Sequence, residues 1–88
     1  NNKSWGAEKA YQKDFFGKRY IGADISSPPF DKIAQLYGAK GYKVNKISEV
    51  NQAVKAALKC NKPAVIDVDV DPKALYSFRR DSFKHRIE

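Results

Sequence analysis

The chain has 88 residues, 42% hydrophobic and 31% charged, which suits one small globular domain and excludes a disordered chain. One cysteine, Cys60, and one histidine, His85, exclude an internal disulfide and a Cys/His zinc site within these residues. The net charge of +7, from 17 basic and 10 acidic residues, favours anionic partners: phosphate, acidic small molecules or nucleic acid.

In chain order, Trp5 to Phe16 suits a helix, with Ala7, Tyr11 and Phe15 on one face and Gly17 as its stop. Lys18 to Ser27 has no period and reads as a loop, with Tyr20 and Ile21 tucked against the rest. Ser27 is placed to cap a helix that has Pro28 at its first position. Phe30, Ile33, Ala34 and Tyr37 continue it, and Gly38 ends it. Gly41 to Val44 is a short strand. Ser48 and Glu49 open the next helix, whose apolar stripe is Val50, Ala53, Val54, Ala57 and Leu58. Asn61-Lys62-Pro63 breaks it, and Cys60 sits near its end as a small residue. Ala64 to Val70 is the strongest strand, rich in β-branched residues and stopped by Asp71-Pro72. Residues 73–88 form a tail in which aromatics alternate with arginines.

Strand, helix, strand between residues 41 and 70 implies two parallel strands and a right-handed crossover. The expected fold class is α/β, part of a three-layer α/β/α sandwich around a mostly parallel sheet. Parallel sheets are covered on both faces and hold more than two strands, so more of the fold is expected outside these residues. Methionine is absent, even at position 1, and no apolar run resembles a signal peptide or a membrane span. The expectation is an excerpt of a longer, soluble, cytoplasmic protein with no membrane partner.

Four groups could carry chemistry. Asp67, Asp69 and Asp71 alternate along a strand and could interest a hard cation. They lack the glycine and the final glutamate of an EF-hand loop, so a solvated strand end is expected. Arg79 and Arg80 could clamp a phosphate or sulfonate, although Asp81 stands beside them. With no RNP-like strand and no OB pattern, the aromatics and arginines give no nucleic-acid partner. Finally, Asn1 and Asn2 are neutral oxygen donors of the kind Mg²⁺ accepts beside phosphates. Gly6 would let a phosphate approach the start of the first helix.

The run NNKSWG resembles the end of the thiamine-diphosphate motif of the acetolactate synthase-like superfamily. There a Gly-Asp-Gly stretch and a later Asn-Asn hold Mg²⁺ and the cofactor's diphosphate together. PPFDKIAQLYGAKGYKV is similar to the helix, glycine and strand that follow. ISEVNQAVKAALKCNKPAVIDVDVDP is similar to the last helix and strand. WGAEKAYQKDFF and FRRDSF resemble the sulfoacetaldehyde acetyltransferase branch. The resemblance covers Asn1 to about Pro72, so residues 1–72 are expected to be the C-terminal part of a thiamine-diphosphate-binding domain and 73–88 its tail.

The resemblance implies residue roles. Asn2 is the side-chain Mg²⁺ ligand, and the Ser4 backbone carbonyl is a second ligand. Trp5, Gly6, Ala7 and Glu8 line the diphosphate, although acetolactate synthases carry a long aliphatic residue where Ala7 stands. Arg79 and Arg80 match no motif position; anion contact there is an expectation from their charge alone. The implied parent is a transferase that converts sulfoacetaldehyde and phosphate to acetyl phosphate and sulfite, working as a homodimer or homotetramer on small anionic substrates. The alternatives are an acetolactate synthase-type carboligase or decarboxylase, and a small basic anion- or nucleic-acid-binding module. The metal-binding aspartate and the cofactor-activating glutamate are expected upstream, on the remainder of the parent chain. These 88 residues alone are therefore expected to be inactive.

Overall fold

The computed structural model describes residues 1–75, which fall into two compact units. One comprises Asn1 with Ser27–Val70; the other comprises Asn2–Ser26 and the described residues 71–75.

The first unit is α/β. Helix α2 (Phe30–Leu36) is followed by strand β1 (Lys40–Val44), a 3₁₀ turn (Ile47–Glu49), helix α3 (Val50–Lys59) and strand β2 (Ala64–Val68). The strands pair in parallel, with Lys40 opposite Ala64, Lys43 opposite Asp67 and Val44 opposite Val68. Both helices pack against both strands. Alanine and valine dominate the buried positions: Ala34, Val44 and Ala53. Leu36, Tyr37, Ile47 and Leu58 stay exposed. Tyr37, together with Val54 and Leu58 of the Val50–Leu58 stripe, thus faces outward, because two strands are too narrow to cover them.

Both predicted serine caps are corrected. Pro29 occupies the N-cap of α2 in an extended conformation, and its carbonyl accepts from Lys32 (3.0 Å) and Ile33 (3.1 Å). Ser27 lies two residues too early for its hydroxyl to serve the second or third helical amide. The Phe30 N–H is instead taken by the carboxylate of Asp67. Ser48 falls inside the 3₁₀ turn, and α3 is preceded by Glu49 with no side-chain cap. The stop signals hold. Gly38 has φ +81°, and Ala39 donates back to Ala34 at 2.9 Å, closing the end of α2. Cys60 caps α3, its thiol donating to the Ala57 carbonyl at 3.1 Å.

Gly41 on β1 lies directly under the backbone of Asp31. A Cβ there would stand 1.9 Å from the Asp31 carbonyl oxygen. The close approach of α2 to β1 therefore depends on the missing side chain.

Asp67 also departs from expectation. It is 4% exposed rather than solvated, and it is the buried charged residue of the described chain. Its Oδ2 accepts from Lys43 Nζ at 3.2 Å, the cross-strand neighbour in the register. Lys43 also reaches Asp69 at 2.8 Å. Burial alone would raise the Asp67 carboxyl, but the Asn1 and Lys43 hydrogen bonds outweigh it and hold the group below its ordinary value. A lowered folded value stabilises the fold above the unfolded value of about 3.9, and that stability is lost as pH falls toward the folded value. The difference in unfolding midpoint between the wild type and Asp67→Asn is therefore expected to narrow below about pH 4. A difference independent of pH would contradict this.

In the second unit, helix α1 (Gly6–Phe15) buries Ala10 rather than the predicted Ala7, which is exposed. The Tyr11 and Phe15 rings stack with centroids 6.1 Å apart. Gly17 takes φ +62°, and Lys18 donates to the Gln12 carbonyl, ending the helix as expected. The following loop is not held by tucked apolar side chains: Tyr20 and Ile21 are exposed. The Gln12 amide holds it instead, donating to the Ile21 carbonyl (3.0 Å) and accepting from the Ile21 N–H (3.2 Å). Ala23 is the buried residue of this loop. β2 ends at Val68, two residues before the predicted Val70, and Asp71 Oδ1 then accepts from the Lys73 N–H at 2.9 Å in an Asx turn. The predicted tail lies outside the described residues from position 76. Among those described, no helix is long and apolar enough to cross a membrane.

Candidate functional site

The predicted site residues Asn2, Ser4, Trp5, Gly6, Ala7 and Glu8 form a turn that runs straight into α1. Lys3 has φ +55°, so the chain bends sharply between Asn2 and Ser4. Asn2 Oδ1 accepts from the Ser4 N–H at 3.2 Å, and Ser4 Oγ donates to the Asn2 carbonyl at the same distance. The amide oxygen keeps a second lone pair beyond this bond.

Ser4 and Asp24 form an isolated antiparallel bridge. The Trp5 N–H donates to the Ala23 carbonyl (2.7 Å) and the Ile25 N–H to the Lys3 carbonyl (3.1 Å). These bonds flank the Ser4–Asp24 pair, so Ser4 turns its own backbone groups away from residues 23–25. Its N–H goes to Asn2. Its carbonyl oxygen meets no backbone or side-chain donor among the described residues. Two neutral oxygens, Asn2 Oδ1 and Ser4 O, are thus left with acceptor capacity in one short turn.

The start of α1 has the complementary character. Trp5 is its N-cap, makes no side-chain cap bond and is largely exposed. The first backward bond is from Lys9 to the Trp5 carbonyl at 2.9 Å. The N–H groups of Gly6, Ala7 and Glu8 precede it and lack an intrahelical acceptor. Such a helix start attracts phosphate through these amides and the dipole. Gly6 is constrained on the Asn2 side: a Cβ would lie 2.7 Å from Asn2 Nδ2.

Sequence reasoning missed the support of this turn. Lys9 Nζ forms an ion pair with Asp24 and lies 5.0 Å over the Tyr20 ring. Ser4 Oγ also reaches Asp24 at 3.4 Å. The Lys9 hydrogen bond, foremost, holds the Asp24 carboxyl below its ordinary value. Asp24 sits in a stretch without period, so only the bridge to Ser4 reveals it. Arg79 and Arg80 lie outside the described residues. Among those described, no cluster of three or more His, Cys, Asp or Glu could hold a metal. The alternating aspartates have partners within the fold: Asp67 and Asp69 face Lys43, and Asp71 accepts from the Lys73 N–H in its own turn.

The fold is of the α/β class, with parallel strands joined through a helix. The family is more specific. Residues 1–68 match the thiamine pyrophosphate enzyme C-terminal TPP-binding domain, and the chain belongs to that family. It is 35% identical over 91 residues to a sulfoacetaldehyde acetyltransferase of Castellaniella defragrans, covering 99% of this chain and 15% of that protein. It is 32% identical over 78 residues to a probable acetolactate synthase large subunit of Methanococcus aeolicus, covering 88% of this chain and 13% of the relative. Over 73 residues it is 32% identical to the mitochondrial acetolactate synthase catalytic subunit of Saccharomyces cerevisiae, covering 83% and 11%. The chain therefore spans about one seventh or less of these relatives.

Proposed function

We propose that the chain is the C-terminal part of a thiamine-diphosphate- and Mg²⁺-dependent transferase, with residues 1–72 in the cofactor domain and 73–88 as its tail. One observation carries the reading: an uncapped helix start follows directly on a turn that offers the Asn2 amide oxygen and the Ser4 carbonyl. Neutral oxygens suit Mg²⁺, which takes few protein ligands and completes its shell with phosphate oxygens and water. Two neutral donors give only part of that shell. The remaining charge comes from the diphosphate and from a carboxylate elsewhere in the parent. The amides of Gly6, Ala7 and Glu8 would take diphosphate oxygens, with Trp5 flanking them. When bound, thiamine diphosphate supplies the carbanion chemistry at its thiazolium carbon. This chain's residues bind and orient; none donates or removes a proton in the reaction.

Within the family, the branch reading is sulfoacetaldehyde acetyltransferase, which splits sulfoacetaldehyde with phosphate into acetyl phosphate and sulfite. The longer match to an acetyltransferase, which reaches into the tail, supports it. The net charge of +7 suits anionic substrates, and Arg79 and Arg80 are proposed to contact them. An acetolactate synthase-type carboligase is the second reading, because relatives of that name match at similar identity. Family membership disfavours a free-standing basic binding module. The proposed setting is cytoplasmic, within a homodimer or homotetramer. Full-length enzyme offered sulfoacetaldehyde and phosphate is expected to release sulfite. Acetolactate from pyruvate, with no sulfite, would replace this branch by the second.

Gly6→Ala tests the cradle. The added Cβ would displace the Asn2 amide, so cofactor affinity in the full-length enzyme is expected to fall about 10-fold, as when a group that orients a metal ligand is disturbed. Stability should not fall, since alanine favours a helix by about 1 kcal/mol over glycine. Calorimetric titration of thiamine diphosphate with Mg²⁺ checks this. Unchanged affinity would show that Gly6 is not part of the site.

A further inference from the structure

Lys9 and Gln12 stand three residues apart on α1 and so share one face. That face grips the loop after the helix at two points. The Gln12 amide holds both backbone groups of Ile21, at 3.0 and 3.2 Å, and Lys9 Nζ pairs with the Asp24 carboxylate. The loop then returns to the turn that precedes α1. The Trp5 N–H donates to the Ala23 carbonyl at 2.7 Å and the Ile25 N–H to the Lys3 carbonyl at 3.1 Å. Between them Ser4 Oγ reaches Asp24 Oδ1 at 3.4 Å. Turn, helix and loop thus form a closed circuit of bonds, and Ser4 and Asp24 are where it closes. Lys3, inside the turn, keeps φ +55°, a conformation a lysine holds only where its surroundings fix it.

We propose that Asp24 is a positioning residue for the Asn2–Ser4 turn. It ties Ser4 to the first turns of α1 through Lys9, so that the Ser4 carbonyl and the amides of Gly6 to Glu8 share one rigid frame. This rests on the reading of Asn2 and Ser4 as Mg²⁺ ligands. The physics is that of an outer-shell partner: a group that touches neither metal nor substrate sets the geometry of one that does, at about 10–100-fold in metal affinity. The two ends of the ion pair are unequal. The Lys9 side chain is 15% accessible and the Asp24 side chain 71%. Without Lys9, water can solvate the carboxylate, which still reaches Ser4. Without Asp24, Lys9 is left as a largely buried cation with the Tyr20 ring 5.0 Å away, and its amine must move toward water. The carboxylate is therefore the member on which the turn depends more.

The test uses the full-length enzyme, stripped of metal and supplied with saturating thiamine diphosphate, and titrates Mg²⁺ alone by calorimetry. Asp24→Ala is expected to raise the half-saturating Mg²⁺ concentration about 10-fold or more, with a metal-free unfolding midpoint close to wild type. Asp24→Glu, which keeps the carboxylate, should recover most of that loss. Lys9→Met leaves Asp24 its Ser4 contact, so it should lose less than Asp24→Ala but more than about twofold; it carries the test if Asp24→Ala fails to fold. The double variant should be no worse than Asp24→Ala, because both changes break one linkage. Additive losses, or titrations of both single variants within about twofold of wild type, would overturn the proposal. So would a lowered midpoint with a loss of affinity that Asp24→Glu leaves unrepaired, the mark of a purely structural contact. Asn2→Ala is the control. If it weakens Mg²⁺ binding and Asp24→Ala does not, the positioning role fails and the metal reading stands. If neither does, the metal reading fails and the positioning role falls with it.

Discussion

Asn2→Ala in the full-length enzyme is expected to raise the Mg²⁺ concentration for half-maximal cofactor binding by more than about 100-fold. Loss of an outer-shell partner costs about 10–100-fold, and loss of a direct ligand should exceed that. The effect should be specific. Asn2 is half-buried and its bonds serve the local turn, so unfolding should shift little. Asn2→Asp should behave differently: it keeps an oxygen at the same place and adds a charge, so it should retain more metal affinity than alanine while repelling the diphosphate. Equal Mg²⁺ titrations for wild type and Asn2→Ala would show that the ligand lies elsewhere.

Gly41→Ala should be the most destabilising single substitution in the described fold. Its Cβ would meet the Asp31 carbonyl oxygen at 1.9 Å, the carbonyl carbon at 2.5 Å and Cα at 2.8 Å. All three are backbone atoms, so no side-chain rotation relieves the clash, and α2 must lift from β1. Overpacking against atoms that cannot move costs about 3 kcal/mol or more. Gly38→Ala is the comparison. It meets nothing within 4 Å, but at φ +81° an alanine is strained by about 1–2 kcal/mol. Hydrogen exchange at the β1 and β2 amides of the full-length enzyme distinguishes the two. Protection should drop far more for Gly41→Ala; equal loss would show that the close contact is not essential.

The strand–helix–strand order from Gly41 to Val70 was legible because periods of two and of three to four alternate between clear breakers. The same holds for the glycine stops at Gly17 and Gly38, where a positive φ is needed. Ser27 and Ser48 misled because a cap depends on where the chain turns: Pro29 takes the cap of α2, and Ser48 falls inside a 3₁₀ turn before α3. Ala10, not Ala7, lies inward, since nothing within α1 decides which of its faces is covered. Asp67 was unreadable for a deeper reason. An aspartate alternating on a strand looks solvated until Lys43 and Asn1, 24 and 66 residues away in sequence, converge on it. The proposed Asn2–Glu8 site was visible only through the resemblance of NNKSWG. The residues themselves offered two amides and a glycine, while the support from Lys9 and Asp24 is tertiary.

The central claim is that this chain contributes one part of a thiamine-diphosphate–Mg²⁺ site through Asn2, Ser4 and the start of α1. A crystal structure of the full-length enzyme with thiamine diphosphate and Mg²⁺ tests it most directly. The account predicts Asn2 Oδ1 and the Ser4 carbonyl oxygen at about 2.1 Å from the metal, with diphosphate oxygens on the amides of Gly6 to Glu8. A metal held without either oxygen, or a diphosphate away from the start of α1, would contradict it.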